Sequence, residues 1–290
     1  MSPFKVFIHL RQYFSILEWI KIIFNSILFR FTSRIVHNEL LFKFEIFKEI
    51  KRKDWKLEEL GDEYRIAATL NNRLLVFYIR KDSSDLFVFN QVIIEEEYSK
   101  LLLMRNHEKE NLVIIDAGAN IGCTSLWFSA FFPNAVIHAI EADASNFRYL
   151  EKNIRENKLS ESVLIYFNAL WKDNSVLNIS DSFRGGMEDS RRIILGNVEN
   201  ENSVKGITIS DLKELAFGMG IDILKMDIEG AESELFPDLE HAKVFLDSID
   251  ILAVELHPEC INVDVVLQYF QECGFSSDKV GETHFCLHNS

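Results

Sequence analysis

The 290-residue chain predicts an α/β fold built on a mostly parallel sheet that closes on an antiparallel hairpin. Three observations carry this. Short apolar runs bounded by Gly, Asn or Asp alternate with helix-like segments from residue 111 onward. Leu112–Ile115, Ala135–Ile140, Val163–Phe167, Ile221–Met226 and Ile249–Leu256 are continuous and rich in branched residues, as strands buried on both faces are. The last residues, Phe275–Asn289, have room for two short strands after a helix, Val263–Cys273, closed by Gly274.

The first strand of the core leads into the stretch around which the chain is organised, NLVIIDAGANIGCTSLWFSAF. Its strand ends in Asp116, the turn holds Gly118, Asn120 and Gly122, and a helix runs over Ser125–Phe131. Such a strand, turn and helix suit a nucleotide or nucleoside, because glycine lets backbone approach a ligand and a helix start presents unpaired N–H groups. A dinucleotide site wants G-x-G-x-x-G with an acid about 20 residues later. Here the carboxylate comes first, in D-x-G-x-N-x-G. That order resembles motif I of class I S-adenosylmethionine-dependent methyltransferases, with Asn120 at the usual middle glycine. A carboxylate suits the ammonium of such a donor better than it suits a pyrophosphate.

The second strand ends in Glu141, placed to accept hydrogen bonds from ribose hydroxyls. Asn146–Asn157 reads as the next helix. The third strand ends in Asn168-Ala169-Leu170, where a polar side chain can sit beside an adenine edge. Residues 171–206 are polar and read as a loop at the sheet rim, with Arg184-Gly185-Gly186 and Arg191-Arg192. Ile207–Phe217 is a short segment and helix. The fourth strand delivers ILKMDIEGAESELF, with Lys225 and Asp227 two apart and Glu229 beyond. The fifth finishes in Glu255 and His257. Burying such ends is costly unless they are paired or face a cleft, and open α/β sheets bind ligands at that edge.

The formal net charge of −14 argues against nucleic acid as a partner. Charge is uneven: residues 1–53 carry ten Lys/Arg and four Glu, net +6, leaving −20 on the remainder. Cys123, Cys260, Cys273 and Cys286 form no C-x-x-C pair, consistent with a reducing compartment and a cytoplasmic protein.

Residues 4–31 read as a helix with a seam of Val6, Leu10, Tyr13, Leu17, Ile20, Phe24, Ile27 and Phe31. Lys5, Arg11, Glu18 and Lys21 break it far short of the roughly 20 apolar residues a membrane span needs. The seam can pack on its own domain, on a second copy in a homo-oligomer, or on an anionic membrane surface at which the protein is peripheral. A second helix, Asn38–Lys51, follows. YRIAATL and RLLVFYIR are strands joined at Asn71-Asn72, and Arg80–Leu103 reads as a loop, a short strand and a helix start. The expected organisation is a helical extension over 1–60, then a methyltransferase domain over 61–290. That domain divides into a β/helix leader, 61–105, and a core, 106–290.

IIDAGANIGCTSLWF, the IEAD of residues 140–143 and ILKMDIEGAESELF together resemble the FkbM family of methyltransferases over about residues 80–275. SSDLFVFNQVIIEEEY resembles the leader of members associated with saccharide modification. Ala142 stands where the family pattern has Pro. The resemblance implies a Rossmann-like class I methyltransferase sheet, S-adenosyl-L-methionine as cofactor, and O-methylation of a saccharide, glycolipid or secondary metabolite. Asp116, Gly118, Asn120 and Gly122 would hold the methionine end, Glu141 and Ala142 the ribose, and Asn168 and Ala169 the adenine side. His257 or Asp227 would take the acceptor proton, with Lys225 orienting a carboxylate or the substrate oxygen. No metal is required. A weaker variant has Asp227, Glu229, Glu255 and His257 holding a divalent cation. The competing readings are a non-catalytic or membrane-recruited scaffold and a nicotinamide-dependent oxidoreductase.

Overall fold

The computed structural model describes residues 10–23, 39–105, 109–180, 192–195, 203–216, 218, 220–228 and 230–289, with no side chains described at 180 and 192–195. The chain forms two compact units, Met1–Asn90 and Gln91–Ser290.

In the first unit the long N-terminal helix expected over 4–31 is interrupted. Residues 11–15 turn, and a new helix starts at 16 because Ser15 and Glu18 cap it reciprocally. The Ser15 amide donates to Glu18 Oε2 at 2.7 Å and the Glu18 amide to Ser15 Oγ at 3.3 Å. The break resets the helical phase, so of the expected seam Leu10 and Tyr13 are buried while Leu17 and Ile20 are exposed. Val6, Phe24, Ile27 and Phe31 lie outside the described residues. Helix α1 (Glu39–Arg52) buries Ile46, Phe47 and Ile50. A three-stranded antiparallel sheet follows, β1 (Lys56–Leu60), β2 (Glu63–Leu70) and β3 (Arg73–Arg80). Asn71 and Asn72 both take positive φ, 45° and 62°, as a two-residue hairpin of matching twist requires.

The strand expected within 80–103 is instead helical. Helix α2 (Asp85–Phe89) starts where Ser83 Oγ accepts from the Asp85 amide, and the chain continues through a π turn, Asn90–Ile94. A 3-10 turn over Glu97–Lys100 and helix α3 (Leu101–Met104) complete the stretch. Leu86, Phe89 and Ile93 recur at steps of three and four and are buried, a helical period that a short apolar run conceals. Asp85 is fully buried and takes the Arg80 guanidinium at 2.6 and 2.9 Å and the Arg80 amide at 2.9 Å.

The second unit holds a ten-stranded sheet in the order β12-β13-β11-β10-β4-β5-β6-β9-β7-β8. The strands are β4 (Val113–Ala117), β5 (Val136–Glu141), β6 (Val163–Leu170), β7 (Val176–Ser180), β8 (Arg192–Leu195), β9 (Ser203–Ile207), β10 (Ile221–Met226), β11 (Ile249–Glu255), β12 (Phe275–Val280) and β13 (Thr283–His288). From β11 to β9 neighbours run parallel, and β13 is antiparallel to β11 and β12. The helices are α4 (Cys123–Phe131), α5 (Ala144–Glu156), α6 (Ile209–Leu215), α7 (Glu232–Leu235), α8 (Leu239–Leu246) and α9 (Val263–Glu272).

The stretch 171–206, expected as a loop, supplies β7, β8 and most of β9. Its strands alternate over only four or five residues, too short for a periodic signal against their polar flanks. Arg184, Gly185, Gly186 and Arg191 lie outside the described residues. The chain leaves β4 towards β5 and β6 and returns on its other side as β10, so the order reverses between β4 and β10 and opens a crevice at their carboxyl ends.

Asp85→Ala should lower the first unit's stability by about 3 kcal/mol, since it leaves a largely buried guanidinium without its carboxylate. Urea denaturation followed by tryptophan fluorescence measures it.

Candidate functional site at the carboxyl edge of the sheet

Asp116 and Lys225 are register partners on β4 and β10 and so share a face. Both are buried, with Asp116 Oδ1 3.3 Å from Lys225 Nζ. Burial works against the lysine's charge, but Asp116 and then Asp227 outweigh it and raise its pKa. Lys225 Nζ also donates to the carbonyls of Gly118, at 2.6 Å, and Ala117, at 3.3 Å. Ser125 Oγ on α4 donates to Asp116 Oδ2 at 2.7 Å. Asp116, expected to hold the methionine end, and Lys225, expected to orient a carboxylate or the substrate oxygen, face each other across the base of the turn.

The turn is tight because β10 presses on it. A Cβ at Gly118, whose φ is +75°, would lie 1.7 Å from the Asp227 carbonyl oxygen, and one at Gly122, φ +89°, would lie 2.8 Å from Leu150 on α5. Both glycines are demanded by packing within the protein. Asn120 stands at φ 52°, a conformation asparagine tolerates in a glycine's place.

All five amides of the turn are spent. Gly118 and Ala119 donate to Ile140 O at 3.0 and 2.9 Å, and Gly122 to Ala119 O at 2.8 Å. The Asn120 amide donates to Glu141 Oε2 and the Ile121 amide to Asn120 Oδ1, both at 2.7 Å.

Glu141, at the end of β5, also accepts from the Asp143 amide at 2.7 Å through Oε1. Burial pushes its carboxyl up to about 7 despite these two amides. Asp143 caps α5 through Ser145 and Asn146, and Ala142 lies between, half-buried. Ala169 is buried, and Asn168 Nδ2 donates across the sheet to Lys205 O on β9 at 3.0 Å. Asn168 thus helps pair β6 with β9.

Asp227 follows β10, its amide donating to Ala117 O at 3.1 Å. Its Oδ1 is buried with no hydrogen-bond partner among the described residues. Glu229 lies outside the described residues. His257 is pulled inward: Nδ1 is 2.9 Å from Glu232 Oε1 on α7, Nε2 is 3.5 Å from Glu255 Oε1, and its side chain is 1% exposed against 19% for Glu255. Burial, then the Asp227 carboxylate, pushes Glu255 up to about 8.

Two carboxylates here were not singled out from the sequence. Glu232 sits within the quoted ILKMDIEGAESELF, but its pairing with a histidine 25 positions away leaves no local signal. Glu97, in the EEEY run before the core, accepts from Thr283 Oγ1 at 2.7 Å, and Thr283 is the register partner of Glu255. Burial raises the Glu97 pKa, and Asp227 adds to it. Among the described residues no group of three or more His, Cys, Asp or Glu is placed to hold a metal ion.

The profile of the Methyltransferase FkbM domain matches residues 116–277, more than half of the chain, from Asp116 into β12. The chain belongs to the FkbM methyltransferase family. Its fold is the Rossmann-like class I methyltransferase sheet with an antiparallel last strand. Methyltransferase FkbM from Methylobacillus flagellatus KT is similar in structure, with a TM-score of 0.45 at 13% identity over 72% of this chain and 56% of that one. The METTL16 MTase domain has a TM-score of 0.43 at 10% identity, over 87% and 80%. M. jannaschii TYW2 in complex with AdoMet has 0.37 at 15%, over 80% and 86%. Homoserine dehydrogenase of Helicobacter pylori is 31% identical over 120 residues, 35% of this chain, and the chain spans 28% of that protein's length.

Lys225→Met should destabilise the second unit by about 3–5 kcal/mol, because it strands the Asp116 carboxylate in the interior. Chemical denaturation against wild type measures the difference.

Proposed function

We propose that this FkbM-family chain uses S-adenosylmethionine to O-methylate a hydroxyl of a saccharide, glycolipid or secondary metabolite. The observation that carries the donor assignment is the saturated turn. A dinucleotide's pyrophosphate needs free amides at such a turn, and residues 118–122 have none to offer. That disfavours the nicotinamide reading and leaves carboxylates as the groups facing the crevice.

Those residues fit the donor. Glu141 has spent one lone pair on each oxygen and keeps others for the ribose hydroxyls. The orphaned Asp227 Oδ1 is an acceptor matched to an ammonium. Asp116, Gly118, Asn120, Gly122 and Lys225 build the turn against which the methionine end lies, and Ala142 and Ala169 flank the adenosine side. Bound there, S-adenosylmethionine supplies a methyl group already activated on a sulfonium.

What remains for the chain is to orient the acceptor and take its proton. His257 is enclosed, so Glu255, more exposed and beside it, is the group that meets the hydroxyl. His257 holds the Glu255 carboxylate in place and is itself oriented by Glu232. Glu97, across Thr283, bounds the same mouth. The acceptor is a small molecule or glycan. Sugar hydroxyls suit a mouth of carboxylate acceptors, and the acidic body disfavours nucleic acid.

Calorimetry should show S-adenosylmethionine and S-adenosylhomocysteine binding and NAD not binding; NAD binding alone reverses the assignment. The carboxyl of Glu141 is protonated below about 7 and loses acceptor capacity, so donor affinity should fall as pH drops through that value. Glu141→Gln should weaken binding roughly tenfold or more and flatten this dependence.

Glu255→Gln should cut methyl transfer from labelled donor into a cell extract by about 10²–10⁴-fold. Donor binding should stay unchanged. Wild-type turnover should rise with pH through about 8, where Glu255 ionises, and the variant should lose that limb.

A further inference from the structure

The helix over residues 16–23, ILEWIKII, is apolar nearly all round, yet only one arc of it is covered. Trp19 and Ile22 are buried, and the Trp19 ring meets Phe14 at 5.8 Å and Phe44 of α1 at 5.5 Å, both edge-on. Ile16, Leu17, Ile20 and Ile23 fall on a separate arc, and each is between 52% and 80% exposed. A second apolar arc exposed beside a packed one is a surface suited to an interaction partner.

Its electrostatic setting identifies the occupant. Lys21 lies four residues after Leu17 and so flanks the stripe, and Arg11 is exposed on the preceding turn. Glu18, the acid of this helix, points away from the stripe and is held at the helix start by Ser15. That bond, reinforced by Lys43 and Lys21, keeps its pKa low. The first 53 residues carry net +6 in a chain whose remainder carries −20. A second copy is a poor match: a copy of the same stripe would bring the like charges of Arg11 and Lys21 against each other. The same few side chains, flanked by cations, suffice for a lipid headgroup boundary. Among the described residues no helix is long and apolar enough to cross a membrane.

We propose that the exposed face of this helix docks on an anionic phospholipid membrane. Ile16, Leu17, Ile20 and Ile23 enter the headgroup boundary, and Arg11 and Lys21 meet acidic headgroups. This stands independently of the donor and acceptor assigned above.

Flotation of the full chain with vesicles tests it. One set is phosphatidylcholine alone, and the other is equal parts phosphatidylcholine and phosphatidylglycerol. The chain should float with the anionic vesicles only, and high salt should release it. Leu17→Ser with Ile20→Ser should lower the partition coefficient at least about tenfold. Arg11→Ser and Lys21→Ser should each lower it about fivefold, the equivalent of about 1 kcal/mol per cation. Unaltered circular dichroism and urea denaturation midpoints show that the variants fold. Binding that ignores lipid charge overturns the proposal, as does failure to float. A dimer that Leu17→Ser dissociates, without vesicle binding, overturns it in favour of a second copy.

Discussion

The contact between Lys225 and Asp116 organises the functional half of the molecule. Two opposite charges without access to water are costly unless each is paired. Here Asp116 has Lys225 and Ser125, and Lys225 has Asp116 and the carbonyls of Ala117 and Gly118. The pair therefore ties β4, its turn, the first helical turn of α4 and the last residues of β10 into one piece. Its worth lies in geometry more than in net stability. With the Gly118 carbonyl turned down onto the ammonium, the turn has little freedom, and Asp227 is carried to the rim beside it.

That rigidity decides the character of the crevice. Because the amides of 118–122 close on the protein itself, the turn is a wall instead of an anion cradle, and the polar work passes to carboxylates. They divide between two ends. Glu141 stands at the end of β5, while Asp227, Glu255 and Glu97 gather where β10 and β11 finish and β13 begins. Burial raises the pKa of Glu141, Glu255 and Glu97, and Asp227 reinforces the shift at the last two. Glu141 and Glu255, held near neutrality, are suited to exchanging a proton at physiological pH.

The N-terminal unit obeys a different logic. Its aromatic packing of Phe14, Trp19, Phe44 and Phe47 closes one side of the helix over residues 16–23 and leaves Ile16, Leu17, Ile20 and Ile23 exposed. The capping of that helix by Ser15 and Glu18 is what turns Leu17 and Ile20 outward. A single uninterrupted helix would have kept them on the seam with Leu10 and Tyr13.

The sequence by itself determined the parallel core, the strand–turn–helix of 113–131, the acid at Glu141 and the charged ends of β10 and β11. These are written in period and spacing within a few residues of one another. It did not disclose the strands within 171–206 or the helical turns of 85–94, where runs of four or five residues carry no decisive period. Nor did it disclose which way the ionisable side chains face. Asp116 and Lys225 turn to each other across 109 positions, His257 turns to Glu232 and away from the crevice, and Glu97 reaches Thr283 from 186 positions away. Only the tertiary structure decided those directions, because a buried charge goes where its partner is, and the partner is supplied by a distant part of the chain.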